Sequence, residues 1–205
     1  MRDPDVGKTI NHPRAYDLLS SIAFLGRRRE VFTRIAALSG VRPGDRVLDV
    51  GCGTGYLTRV LAPLVDPGGQ VTGVDPAPKT IAYARARAPG ACSYLMGRAQ
   101  ALELPDASFD VVVSSLAVHH VPAASRGAAV QEMARVLRPG GRLLIVEFSP
   151  PTTGLVATLA RPVTRHALQP SPEDVLDELI PPAGGSVMVR GTLPPMLYYV
   201  SAVVK

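Results

Sequence analysis

Val47-Leu48-Asp49-Val50-Gly51-Cys52-Gly53-Thr54-Gly55 decides how the rest of this chain is read. A short apolar strand runs into a glycine-rich turn, and Leu57, Val60, Leu61 and Leu64 follow at helical spacing. Glycine lacks the Cβ that would hold a ligand away from the backbone, and it tolerates positive φ. The first amides of the following helix point into such a turn and favour an anionic group. A lone Gly-x-Gly-x-Gly is a weak signal, which its place between strand and helix strengthens. It differs from the dinucleotide fingerprint Gly-x-Gly-x-x-Gly, whose third glycine comes one residue later.

Upstream, Val31, Phe32, Ile35 and Leu38 predict a helix that Gly40 stops, and Arg42-Pro43-Gly44-Asp45 is turn chemistry before the first strand. Residues 1–21, broken by Pro4 and Pro13, read as an irregular arm that becomes helical near Tyr16. Downstream, strands and helices alternate. Gln70–Asp75 is a strand, Pro78 opens a helix through Ala88, and Cys92–Met96 and Phe109–Ser115 are strands. Ser125 is placed to cap a helix in which Val130, Met133 and Leu137 share a face. Arg138-Pro139-Gly140-Gly141 is expected to end it before a fifth strand, Arg142–Phe148.

After Pro150-Pro151 the rhythm breaks. A helix carrying Pro162 is expected within 152–168, and a capping-box-like start at Ser171 introduces a short helix through Ile180. Two strands near Ser186–Thr192 and Leu197–Val204 close the chain as an antiparallel pair at the sheet edge. The expected fold is α/β and Rossmann-like: a mostly parallel seven-stranded sheet with helices on both faces and an antiparallel edge strand. One domain is expected over 1–205, with 1–40 a helical arm or lid, 41–150 the cofactor-binding core, and 151–205 a substrate-covering insertion and closing strands.

Composition narrows the function. The 205 residues are 46% apolar and 19% charged, which describes a globular chain with one core. No run reaches the ~18 apolar residues of a membrane span, and no signal-peptide core opens the chain, so a cytoplasmic protein is expected. Cys52 and Cys92 make no disulfide framework, and no Cys/His cluster has metal-ligand spacing. The net charge of +5 is spread along the chain, with Arg27-Arg28-Arg29 only its densest run, and most of it reads as solvated surface. A nucleic-acid partner is disfavoured on the same ground.

In an open α/β sheet the ligand lies outside the carboxyl ends of the strands, and those ends are chemically loaded here. Asp75 closes the second strand, where a carboxylate accepts hydrogen bonds from ribose hydroxyls; the competing reading is an exposed carboxylate in the turn before Pro76. Asp49 lies two residues before the glycine turn. Its structural reading is a buried carboxylate that pins the loop by accepting backbone N–H bonds.

Four stretches in order, LDVGCGTG, VTGVD, ALELPDASFDVVVSSLAVHHV and EMARVLRPGGRLLIVEF, resemble the class I S-adenosylmethionine-dependent methyltransferases. The likeness is greatest to the small-molecule branch that includes the ubiquinone/menaquinone C-methyltransferases, and it runs from about Tyr16 to Pro150. The resemblance implies that S-adenosylmethionine is the cofactor and that Gly51 and Gly53 pass close to its methionine part. It implies that Asp75, with Pro76, holds the ribose, that Ala99 and Gln100 line the adenine, and that Ser114, Ser115 and Leu116 line the sulfonium side. Tyr16 and Asp49 join the cofactor-binding set. One departure stands out: where relatives carry an aspartate for the adenine amino group, this chain has Arg98, which has only donors.

His119-His120 follows the fourth strand, and histidine is the natural base for a phenol or enol proton near neutral pH. In related natural-product O-methyltransferases a His-His pair sits here with an acid at the end of the fifth strand, the place of Glu147. The plainer alternative is that the histidines cap the loop. Of the two, His120 is favoured as the base, because Val121-Pro122 fixes the chain just after it. His12 and His166 have no such context. The expected activity is methyl transfer from S-adenosylmethionine to an oxygen or activated carbon of a small, mainly apolar acceptor that is aromatic, polyketide-like or quinol-like. A non-catalytic S-adenosylmethionine-binding module is the alternative, and a homodimer is left open.

Overall fold

The computed structural model describes residues 12–15, 17, 20, 24, 26–149, 172–194 and 196–205. In chain order these form α1 (Arg28–Leu38), β1 (Arg46–Val50), α2 (Tyr56–Val65), β2 (Gln70–Asp75), α3 (Pro78–Arg85), β3 (Cys92–Met96) and β4 (Phe109–Ser115). Then come α4 (Arg126–Arg135), β5 (Leu137–Phe148), α5 (Pro172–Leu179), β6 (Gly185–Leu193) and β7 (Leu197–Val204). The strands make one seven-stranded sheet in the order β3-β2-β1-β4-β5-β7-β6. β1 to β5 pair in parallel, while β7 lies antiparallel between β5 and the edge strand β6.

The period of two along the central strands sorts the core into two layers. Leu48, Val50, Val112, Leu143 and Ile145 pack on one face with Val130 and Met133 of α4 and Leu176 of α5. Val47, Val111, Val113, Leu144 and Val146 pack on the other with Val31, Phe32 and Ile35 of α1 and Leu57 and Leu61 of α2. Buried on both faces, β4 reads as an unbroken apolar run for this reason. Among the described residues no helix is long and apolar enough to cross a membrane.

The structure corrects three boundaries. α3 stops at Arg85 rather than Ala88, because the Arg87 and Ala88 amides bond three residues back, to Ala84 and Arg85, in a tightened turn before Pro89. α4 stops at Arg135, where the Val136 carbonyl accepts the Ser108 and Phe109 amides. Leu137 therefore begins β5 instead of extending the helix face, although it joins the same core layer. Arg138-Pro139-Gly140-Gly141 becomes an irregularity inside β5, where the register against β4 shifts. The expected Ser125 cap is also absent: its side chain makes no hydrogen bond to the first turn of α4. The helix placed in 152–168, the cap at Ser171 and Tyr16 lie outside the described residues.

Candidate active site

From β1 the chain builds outward to β2 and β3 on one side, and from β4 to β5 on the other. A crevice therefore opens between the carboxyl ends of β1 and β4. The glycine turn occupies it. Gly51, Gly53 and Gly55 have φ of 75°, 52° and 72°, which side-chain-bearing residues adopt at a cost. The Gly51 and Cys52 amides both donate to the Val74 carbonyl, at 2.8 and 3.0 Å, tying the turn to β2. A Cβ on Gly51 would lie 2.2 Å from the Ala117 Cβ, so the turns after β1 and β4 meet with no room for a side chain.

Gly55 enters α2 without a side-chain cap, and Asp49 supplies one from the strand. Its Oδ2 accepts the Thr58 hydroxyl at 2.6 Å, and the Thr58 backbone amide also favours its charged form. Burial nevertheless dominates. Asp49 is 1% exposed, and desolvation, opposed by Thr58 and reinforced by the charge of Asp75, pushes its pKa up to about 7. The pinning role expected of Asp49 thus falls on the first turn of α2.

Asp75 joins β2 to the glycine turn. Its Oδ2 accepts the Gly53 amide at 3.1 Å and its Oδ1 the Ala77 amide at 2.9 Å, and burial raises its pKa. Pro76 continues the same wall, and Arg98, Ala99 and Gln100 follow on a tight loop in which the Ala101 amide donates to the Arg98 carbonyl. After β4, Ser114 Oγ donates to the Val50 carbonyl at 3.0 Å, whereas the buried Ser115 Oγ has no partner among the described residues. Leu116 sits at φ 57°, a strained position for a side-chain-bearing residue, with its amide bonded to the Val146 carbonyl.

The histidines occupy a single 3₁₀ turn, Val118–His120. Glu147 reaches it from β5, only 3% exposed: its Oε1 accepts the Val118 amide at 2.8 Å, and its Oε2 lies 2.6 Å from His119 Nδ1. Arg126 holds the other end by donating to the carbonyls of Val121 and His119, each at 3.2 Å. The two rings lie 4.0 Å apart between centroids. The carboxylate thus belongs to His119, while His120 takes the cleft wall with Val121 and Pro122.

The glycine turn, Asp49, Asp75, Pro76, the loop after β3, Ser114, Ser115, Leu116 and His120 line one cleft, whereas His119 and Glu147 are not among its lining residues. Two charged residues at its arm end were not anticipated as site residues. Arg28 is 6% exposed and lines the cleft, an exception to the expectation that most of the charge is solvated surface. The signal was present, since Arg28 stands three, four and seven residues before Val31, Phe32 and Ile35, on the apolar face of α1. Asp17 accepts from Thr54 Oγ1 at 2.7 Å, from Arg28 Nη1 at 3.1 Å and from the Tyr83 hydroxyl at 3.2 Å.

Residues 48–145 match the family model described as a methyltransferase domain. The ubiquinone/menaquinone biosynthesis C-methyltransferase UbiE of Ectopseudomonas mendocina is 39% identical over 147 residues, which are 69% of this chain and 57% of that protein. The chain spans little more than half the length of the curated relatives it matches. A SAM-dependent methyltransferase from Aquifex aeolicus superposes with a TM-score of 0.75 at 20% identity, covering 96% of this chain and all of the other. The [4+2]-cyclase SpnF superposes at 0.69 with 19% identity, over 98% of this chain and 88% of its own. Likeness at these identities speaks to the fold, and a cyclase on the same fold leaves the reaction to the site residues.

Proposed function

We propose that residues 48–145, which match a methyltransferase domain, work as a class I S-adenosylmethionine-dependent methyltransferase, and that the chain methylates a small apolar acceptor. The methyl donor is S-adenosylmethionine, and the acceptor atom is an oxygen or activated carbon of a phenol- or quinol-type ring. The UbiE relatives, named as C-methyltransferases of quinone biosynthesis, support a ring carbon. On this reading 41–150 holds the cofactor, while 1–40 and 151–205 cover the acceptor.

The donor set suits that cofactor. Asp75 offers carboxylate oxygens to ribose hydroxyls, and the glycine turn offers bare backbone. Among the described residues, Ser115 Oγ and Arg28 Nε are buried polar atoms without partners, and both residues line this cleft. When bound, S-adenosylmethionine supplies an electrophilic methyl group on a sulfonium sulfur. The protein is left with alignment and the removal of one proton. With Nδ1–H donated to Glu147, Nε2 of His119 is the basic nitrogen of that ring. The His119–His120 pair takes the acceptor's hydroxyl proton, and the buried Glu147 carboxylate stabilises the resulting imidazolium.

The observation that carries this reading is the 2.6 Å contact of Glu147 with His119, whose ring lies 4.0 Å from that of His120 on the wall of the cleft that holds Asp75 and the glycine turn. The test is turnover of S-adenosylmethionine with a panel of phenolic and quinol-type acceptors. Product mass and position separate oxygen from carbon methylation. Glu147→Gln and the histidine variant that removes the base should lose ~10²–10⁴-fold in rate while keeping near-native cofactor affinity. Wild-type rates and an unshifted acidic limb of the pH–rate profile in both His119→Ala and His120→Ala would remove the histidines from the mechanism.

A further inference from the structure

We propose that Arg126 is a positioning residue for His120, fixing the backbone on both sides of this histidine so that its ring stays on the cleft wall. The inference rests on the histidine-base reading above and gives the ring that meets the acceptor a support of its own.

Both carbonyls that Arg126 holds belong to the neighbours of His120. Nη2 donates to the carbonyl of His119 and Nε to that of Val121, each at 3.2 Å. Nε–H and Nη2–H lie on one edge of a rigid, planar guanidinium, so the two bonds fix a spacing as well as two directions. The His120 amide donates to the Ala117 carbonyl and the Val121 amide to the Val118 carbonyl, both at 3.0 Å. Ala117 in turn abuts Gly51, which ties the histidine turn to the glycine turn. Four backbone groups around His120 are thus engaged, two of them by one side chain. That side chain starts from the first residue of α4, a helix anchored by the buried Val130 and Met133.

Helix stability does not account for an arginine at this place. The first turn of α4 holds no acidic residue, and a cation there faces the positive end of the helix dipole. The same charge suits the end of the 3₁₀ turn, where carbonyls point outward and accept from it. The two histidines are therefore supported differently. Glu147 fixes the His119 ring directly, at 2.6 Å, and neither residue is among those that line the cleft. His120 lines it, 4.0 Å from the His119 ring, and Arg126 acts on His120 through the main chain.

The test is steady-state kinetics of the full chain with S-adenosylmethionine and the best phenolic acceptor of the panel. The variants are Arg126→Met, Arg126→Lys, His119→Ala, His120→Ala and Arg126→Met combined with His120→Ala, each checked for folding by thermal melting. Arg126→Met should lower kcat by ~10–100-fold, as a misplaced reacting group does, and leave acceptor KM and S-adenosylhomocysteine affinity within about twofold. Arg126→Lys keeps the charge but loses the fork, so it should recover part of that rate, and it decides the matter if the methionine variant does not fold. In the His120→Ala background Arg126→Met should cost nothing further, because the group it positions is gone. An undiminished kcat in Arg126→Met, its full cost persisting without His120, or a loss shared equally by cofactor affinity would overturn the proposal. So would a wild-type rate in His120→Ala beside a crippled His119→Ala. Wild-type rates in both histidine variants would instead overturn the histidine reading itself.

Discussion

Asp49 carries the largest electrostatic strain among the carboxylates of the cleft, because burial holds its pKa at about 7 against an ordinary 3.8. The folded protein therefore binds a proton that the unfolded chain releases between about pH 4 and 7. Stability contributed at this position falls as pH rises through that window and levels off above it. Asn at 49 can still accept the Thr58 hydroxyl through its amide oxygen but carries no charge. Melting temperatures measured from pH 5 to 7.5 should show Asp49→Asn gaining on the wild type as pH rises. A pH-independent difference would mean that the carboxylate is ionised throughout. Asp75, whose pKa burial also raises, remains in both proteins, so the comparison reads Asp49 together with its repulsion by Asp75. Asp49 and Asp75 stand out in the sequence because each lies at or near the end of an apolar run, with Gly51 two residues after the one and Pro76 directly after the other. Arg28 does not, because in a run of three arginines only the helical phase against Val31, Phe32 and Ile35 distinguishes the buried one. The pairing of Glu147 with His119 rather than His120 was equally closed to sequence: it depends on which ring the 3₁₀ turn directs toward β5.

At the level of elements, sequence reading succeeded where local pattern and tertiary context agree. β2, β3 and β4 begin and end where their apolar runs do, and the β6–β7 pairing follows from the short link between two strand patterns. It missed where a distant backbone group intervenes, as when the Ser108 and Phe109 amides take the Val136 carbonyl and end α4 early. Ser125 is the sharpest case. It is the right residue type at the N-terminus of α4, yet its φ and ψ of −105° and −2° are not the extended values of a capping residue, and its side chain makes no capping bond. Ser125→Ala should accordingly change unfolding free energy by less than about 0.5 kcal/mol in denaturant melts, as ordinary surface substitutions do. A loss near 1 kcal/mol would show that the hydroxyl caps the helix in solution.

Across the whole molecule, the strand order gathers the strand-end residues of the cleft at the carboxyl ends of the parallel strands. The turn after β1 brings backbone, β2 brings Asp75, the loop after β3 brings Ala99 and Gln100, and the turn after β4 brings Ser115, Leu116 and His120. The account stands or falls on this cleft holding S-adenosylmethionine with Asp75 on the ribose. The most direct measurement is titration calorimetry of S-adenosylhomocysteine into the wild type and into Asp75→Ala, with folding of both confirmed. The account predicts saturable one-site binding by the wild type, weakened in the variant by about 1.5–3 kcal/mol, the worth of hydrogen bonds to a charged acceptor. No binding by the folded wild type, or unchanged affinity in Asp75→Ala, would contradict it.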